Sequence, residues 1–329
     1  MRQENMENKK KNMRPAVAHL SSGDMPDKAR ISGIVEILSQ SPTARGLLKQ
    51  AHENGYRIVL NGLAGHSNSV AGMHSNKSRM IVLHPGHSDD ECVGFLAREL
   101  AMAAAYGEGT SQRVHLRPLD LIHQTEMARA HGAAMAFQVA HELKEGHMGG
   151  FHTDGVWDSL EKANPGLAET FSSSLKEDAL AATDGKAADA VFRAAIADTR
   201  AREVTEDNVM TNLLDGFVRE GNIPIFFRQP LDVDAWVGKL TLNGKPYIED
   251  VESLKNPEAM AVSQLTADKI HFFESEHLPD VTPQEISVRV ENNSGGGFLS
   301  GIRNMLSGIF NGAEEKDTPA QKPKPKLTL

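Results

Sequence analysis

The chain is poor in cysteine, in aromatic residues and in long apolar runs. Cys92 is the single cysteine in 329 residues, which excludes a disulfide framework and any zinc cluster built on cysteine. No apolar run approaches the roughly 18 residues that a membrane-spanning helix needs. The net charge of -9 argues against a dedicated nucleic-acid-binding protein, which would carry a basic face. Because the first residues are polar and rich in lysine, we predict no signal peptide and expect a cytoplasmic protein without an integral membrane segment.

The length predicts one or two domains with flexible ends, at about 150 residues per domain. Residues 1–28 form a basic arm with few apolar side chains, and we predict that this arm is disordered. Residues 29–230 carry the clearest periodic patterns and form the predicted main domain, followed by a small accessory region at 231–292. Residues 293–329 combine a glycine-rich joint, an apolar stripe at helical spacing from Phe298 to Phe310, and a disordered tail.

Local patterns in the main domain predict a mostly helical α+β fold. The segments YRIVLN at 56–61 and RMIVL at 79–83 are typical of strands, and the Gly- and Ser-rich stretch 62–72 is typical of turns. An S-x-x-E capping box opens a helix over 88–105, and a longer helix is predicted over 118–144. The expected architecture is therefore a short β-hairpin or small sheet, followed by a long helix and further helices.

The helix after the second strand carries the sequence L-A-R-E-L-A-M. A helix with H-E-x-x-H presents two histidines on one face to bind a single Zn²⁺, and its glutamate takes a proton from zinc-bound water. In that frame Glu99 occupies the glutamate position, whereas Arg98 and Met102 occupy the histidine positions. A guanidinium has no lone pair for a metal, and a thioether is a poor zinc ligand beside imidazole. The motif is therefore degenerate.

Strand, turn and helix together resemble a bacterial family of uncharacterised zinc metallopeptidases. The resemblance covers roughly residues 55–202 and rests on VLHP at 82–85, LARELAMA at 96–103 and RAHG at 129–132. It implies a zincin-like fold over the main domain, with Arg129 at the third ligand position. All three matched ligand positions would then lack a metal-binding side chain.

The resemblance and the degenerate motif predict a pseudopeptidase, a non-hydrolytic binding or scaffolding module without a cofactor. Glu99 would be a vestigial general base, and we expect Arg98 or Arg129 to compensate its charge where zinc once did. The expected partner is an extended peptide or protein that adds to the edge of the strand from Arg79 to Leu83.

Two other interpretations stay open. In the first, the protein is an active metallopeptidase whose zinc is held by His131 and loop histidines, with Glu99 as general base. In the second, the helix is merely amphipathic, and the function resides in the segment from Phe298 to Phe310. That segment would dock to a partner, to a second copy of the chain or to a membrane surface.

Overall fold

The computed structural model describes residues 21–22, 25–61, 72–75, 78–107, 115–146, 154–220 and 228–289. The strands are β1 (Ser21–Ser22), β2 (Arg57–Leu60), β3 (Gly72–Ser75), β4 (Met80–Leu83), β5 (Thr241–Leu242) and β6 (Lys245–Pro246). The helices are α1 (Met25–Leu38), α2 (Pro42–Glu53), α3 (Asp89–Tyr106), α4 (Pro118–Glu145), α5 (Asp154–Ala163), α6 (Pro165–Glu177), α7 (Ala181–Asp184), α8 (Lys186–Ala197), α9 (Thr199–Glu220), α10 (Val233–Val237), α11 (Glu252–Lys255) and α12 (Gln264–His277). The predicted mostly helical α+β class is confirmed. Within these ranges, no helix is long and apolar enough to cross a membrane.

A four-stranded sheet has the order β1-β2-β4-β3. β2 is parallel to β4, with Arg57 opposite Met80, and β3 is antiparallel to the other side of β4, with Gly72 opposite Leu83. The prediction that a peptide adds to the strand from Arg79 to Leu83 is therefore wrong, because that strand already has a hydrogen-bonded neighbour on both sides. β3, which the sequence pattern does not predict, is the terminal strand of the described sheet on this side.

The turn between β4 and α3 is held by the predicted capping box. The Ser88 hydroxyl accepts a hydrogen bond from the Glu91 N–H, and the Glu91 carboxylate accepts one from the Ser88 N–H at 2.8 Å. From α1, the Arg30 guanidinium donates to the Asp89 carboxylate and to the Pro85 carbonyl oxygen. Acidic side chains in the first turn also interact favourably with the helix dipole. These contacts fix where α3 leaves the sheet.

Helices α3 and α4 cross at the centre of the main hydrophobic cluster. Leu96 and Leu100 of α3 and Met127 of α4 have no exposed surface. Gly132 permits the close approach of the two helices, because a Cβ atom there would lie 2.9 Å from Met102 Cγ. The crossing therefore depends on a residue without a side chain.

A second hydrophobic cluster joins α9, α12 and the first turns of α4. Ile122, Met210 and Ile270 are fully buried in it. The sequence signals weaken beyond residue 252 and predict no helix at 264–277, so α12 is an addition to the expected fold. Trp236 packs into the main cluster. The predicted boundary after residue 230 therefore does not coincide with a break in the core.

The N-terminal boundary also differs from the prediction. Ser21–Ser22 pairs in parallel with β2, and α1 begins at Met25. The predicted disordered arm over 1–28 is thus too long at its C-terminal end, because polar residues can form helical turns ahead of the buried anchors Ile31 and Ile34. The segment from Phe298 to Phe310 lies outside the described residues.

Candidate functional site

Glu99 of α3 is a buried carboxylate whose nearest partner is a histidine of the terminal strand. Nδ1 of His74 lies 2.7 Å from Oε2 of Glu99, and the two side chains are only 7% and 5% exposed. The hydrogen-bond roles depend on which ring nitrogen carries the proton: with the proton on Nδ1, the imidazole donates to the carboxylate. Arg98 is the second partner, because its Nε lies 3.7 Å from Oε1 of Glu99. Two nitrogen-bearing side chains therefore contact the carboxylate.

Stacking on α3 helps to hold the His74 ring. Its centroid is 5.8 Å from that of Tyr106, with 30° between the ring planes. Tyr106 in turn lies 5.3 Å from the Trp236 ring, measured between centroids. The sequence analysis counts His74 only among the loop histidines of the alternative zinc site, and it predicts neither the strand that carries His74 nor its contact with Glu99. The available signal was a short polar stretch between β3 and β4, which would have suggested a hairpin.

The three positions that the resemblance assigns to metal ligands, Arg98, Met102 and Arg129, lie at one helix crossing. Arg98 and Met102 both face Gly132, whose added Cβ would lie 3.0 Å from Arg98 Cγ. Arg129 is one turn before Gly132 on α4, and its Nη2 donates to the Ala195 carbonyl oxygen at 2.7 Å. Burial lowers the pKa of Arg129, the charge of Glu126 raises it, and the charge of Arg98 lowers it further. The three positions are thus brought together.

Arg98 and Arg129 have different partners in the structure. Arg98 lies within ion-pair range of Glu99, as expected, although His74 is closer to that carboxylate. Arg129 instead bonds to a backbone carbonyl of α8, and no described contact joins it to Glu99.

His131 points to a different set of residues. Its side chain is 2% exposed, its Nδ1 lies 2.9 Å from the Tyr247 hydroxyl, and the two rings stack with centroids 5.8 Å apart. Burial lowers the pKa of His131 to about 3, so the ring is neutral at ordinary pH. Its contacts are therefore with the segment after β6, whereas those of Glu99 are with β3.

Glu126 and Glu206 form a buried ionic network beside Arg129. Glu126 Oε2 lies 3.1 Å from Arg202 Nε, and Glu206 Oε1 lies 2.6 Å from Arg289 Nη1. Neither glutamate has exposed surface. Burial raises the pKa of Glu126 to about 7 against the opposing charge of Arg202. The network ties α4 and α9 to the end of the described chain.

The sequence model of one protein family matches residues 8–247, and that family is described as "Putative metallopeptidase family (DUF6782)". The chain belongs to this family. No curated protein and no solved structure matches the chain. The match to DUF6782 includes the sheet and the crossing of α3 with α4, and it ends before α11 and α12.

The DUF6782 description implies a metal, and the donor chemistry at the crossing does not fit one. Arg98 and Arg129 are permanent cations without a lone pair, and Met102 offers only a thioether. In the part of the chain that the structure describes, no group of three or more His, Cys, Asp or Glu side chains is placed to hold a metal ion. We therefore derive no chemical step through a metal at this site.

Proposed function

We propose that this DUF6782 protein is a non-hydrolytic binding or scaffolding module. The observation that carries the proposal is the contact of Glu99 with His74 at 2.7 Å, in a position where a catalytic glutamate would need to face a metal-bound water. The finer description, a pseudopeptidase with a zincin-like ancestry, belongs to the same proposal.

The surroundings of Glu99 are unsuited to proton abstraction from water. Oε2 is engaged by His74, and Arg98 Nε lies 3.7 Å from Oε1. With the side chain 5% exposed, solvent reaches little of the carboxylate. A general base must lie within hydrogen-bond reach of the proton that it abstracts. These contacts support a structural role for Glu99, in which it connects α3 to β3.

The binding mode that we propose is strand addition at β3. β3 is four residues long and is the last strand in the described order β1-β2-β4-β3. A terminal strand offers backbone N–H and C=O groups to an extended peptide, and these groups supply affinity without a catalytic residue. The contact between His74 and Glu99 would hold β3 in place for such pairing.

Metal content and hydrolysis test the non-hydrolytic proposal together. Purified full-length protein is expected to contain far less than one zinc per chain and to leave an unfolded protein substrate uncut, with or without a chelator. The alternative is an active metallopeptidase with zinc at His131 and loop histidines. Stoichiometric zinc that is lost in His131→Ala, together with chelator-sensitive cleavage that is lost in Glu99→Gln, would establish that alternative and overturn the proposal.

Hydrogen exchange tests the binding mode. The probe is a tryptic digest of a denatured protein, added in excess to the full chain. Amides of β3 are expected to exchange more slowly in its presence, because strand addition gives them partners. Protection confined to the segment from Phe298 to Phe310 would favour the tail as the docking element instead, and unchanged exchange throughout would refute peptide binding.

A further inference from the structure

Two arginines from different helices approach the same crossing. The Cγ atom of Arg98 would lie 3.0 Å from a Cβ placed on Gly132. Arg129 is three residues before Gly132 and therefore lies on the same face of α4, one turn away. Burial is the main cause that lowers the pKa of Arg129, and the positive charge of Arg98 lowers it further. Two like charges are thus held near each other.

Arg129 lacks a close negative partner. Among the described residues, no carboxylate lies within 4.0 Å of its guanidinium, and its buried Nε has no hydrogen-bond acceptor. Its one described hydrogen bond runs from Nη2 to the Ala195 carbonyl oxygen. A guanidinium cannot lose its proton in a protein, and a buried charge without a counter-charge is unfavourable. The described neighbours therefore compensate the positive charge of Arg129 only in part.

The nearby carboxylates are already engaged by other cations. Glu126 is one turn before Arg129, but its Oε2 lies 3.1 Å from Arg202 Nε. Glu99 is shared between Arg98 and His74. Asp198 also attracts Arg129, but it is exposed to solvent. The crossing therefore carries an excess of guanidinium groups over free carboxylates.

We propose that Arg98 and Arg129 form a binding site for a small oxyanion, a carboxylate or a phosphate. The proposal deepens the proposed function, since it requires that no zinc ion occupies the crossing. The Arg98 side chain is 40% exposed, so a ligand can reach it from solvent. Guanidinium groups recognise both oxyanions through pairs of N–H donors. The resemblance implies a metal cation at these positions, whereas the two guanidinium groups would favour an anion there.

Titration of the full-length protein tests the site. The probes are inorganic phosphate and, separately, acetate, added at constant ionic strength kept by sodium chloride. The Nε–H signals of Arg98 and Arg129 in a nitrogen–proton correlation spectrum are expected to shift with one common dissociation constant. Saturation by phosphate, by acetate or by both supports the site, and the comparison tells which oxyanion it prefers.

Three variants distinguish specific binding at Arg98 and Arg129 from non-specific attraction between the anion and positive charges on the protein. Arg98→Gln is expected to weaken binding by about tenfold or more, the effect of losing a charge-assisted hydrogen bond. Arg129→Lys keeps the charge and removes the planar fork, so it should weaken binding less. Arg228→Gln is the matched control, because the Arg228 side chain is 35% exposed and pairs with Asp280 elsewhere on the protein. Circular dichroism confirms that each variant is folded.

The outcomes separate this inference from the proposed function. Equal weakening by Arg98→Gln and Arg228→Gln, or the absence of saturable shifts at Arg98 and Arg129, overturns the oxyanion site. A metal-free, inert protein with no oxyanion binding leaves the proposed function standing and refutes only the inference. Stoichiometric zinc with chelator-sensitive cleavage refutes the proposed function itself.

Discussion

His74 Nδ1 lies 2.7 Å from Glu99 Oε2, and this contact joins the terminal strand β3 to the central helix α3. Both side chains are almost fully buried, so the pair is shielded from the solvent that weakens surface ion pairs. Removal of either partner leaves the other buried without its closest hydrogen-bond partner, which is more costly than the loss of the bond alone. We therefore expect the pair to be important for the placement of β3.

His74→Ala should lower the free energy of unfolding by about 1–3 kcal/mol, because Glu99 loses its nearest donor. Urea unfolding of the native protein, His74→Ala, Glu99→Gln and the double variant gives the coupling energy, expected at about 0.5–3 kcal/mol. The control is His87→Ala, whose pairing with Glu91 at 3.4 Å involves more exposed side chains. That variant should change stability by less than about 1 kcal/mol. A coupling energy near zero would contradict the role assigned to the pair.

Gly132→Ala tests the close approach of α3 and α4. The new Cβ would lie 2.9 Å from Met102 Cγ and 3.1 Å from the backbone oxygen of Arg98, so the Met102 side chain must move and the backbone at Arg98 must give way slightly. We expect a loss of about 1–3 kcal/mol in the free energy of unfolding. Gly33→Ala in α1 is the control, because nothing lies within 4 Å of its added Cβ. It should stabilise the helix by up to about 1 kcal/mol, and an equal effect of the two variants would refute the packing argument.

The elements with strong local signals could be predicted from the sequence. The capping box that begins at Ser88 fixed the start of α3 to within a residue, since its hydrogen bonds form between neighbours in the chain. The proline at position 118 and the apolar period that follows it predicted α4 with the same accuracy. Local hydrogen bonds and helical periodicity are properties of short segments, so they survive without knowledge of the tertiary fold.

The site depended on contacts that the sequence could not supply. His74 and Glu99 are 25 residues apart, and their meeting requires β3, a four-residue strand whose pairing is stabilised by β4 and not by its own composition. The free edge was likewise placed on the wrong strand, because sheet order follows from tertiary pairing. The proximity of Arg98 to Gly132 could be anticipated only through the resemblance, which assigns positions 98 and 129 to one site.

Glu126 should make stability fall as pH rises toward neutrality. Its pKa is about 7 in the folded protein and 4.5 in a solvated chain, so the folded state binds the extra proton between those values. Stability from this group is fully present below pH 4.5 and is lost as pH rises through 7. As pH rises through that window, the unfolding free energy of the native protein should therefore fall relative to that of Glu126→Gln by about 1.4 kcal/mol per pH unit. Urea unfolding between pH 4.5 and 8 measures it, and a flat difference would contradict the shift.

His123 and His131 should act in the opposite direction. Burial lowers the pKa of His123 to about 4 and that of His131 to about 3, whereas a solvated imidazole titrates near 6.5. The unfolded chain therefore binds more protons below pH 6.5, and the stability that the two neutral rings contribute is lost as pH falls toward 4. Between pH 6.5 and 4, the unfolding free energy of His131→Gln should depend on pH less steeply than that of the native protein, by about 1.4 kcal/mol per pH unit. Between pH 7 and 8, above the imidazole pKa of both states, the native protein and His131→Gln should show the same slope, which is the internal control.

Arg98→His combined with Met102→His tests whether the side chains at these positions are what prevents zinc binding. The two new imidazoles would stand at i and i+4 on one face of α3, which is the spacing that binds a single Zn²⁺. We expect the double variant to bind zinc at one ion per chain in equilibrium dialysis, whereas the native protein retains none. Arg98→His alone is the matched control and should bind far more weakly, because one imidazole replaces a cation but the thioether remains. Full zinc retention by the native chain would show that the donors lie elsewhere. A double variant that is folded and still metal-free would show that the crossing, and not only its side chains, has lost the geometry of a metal site.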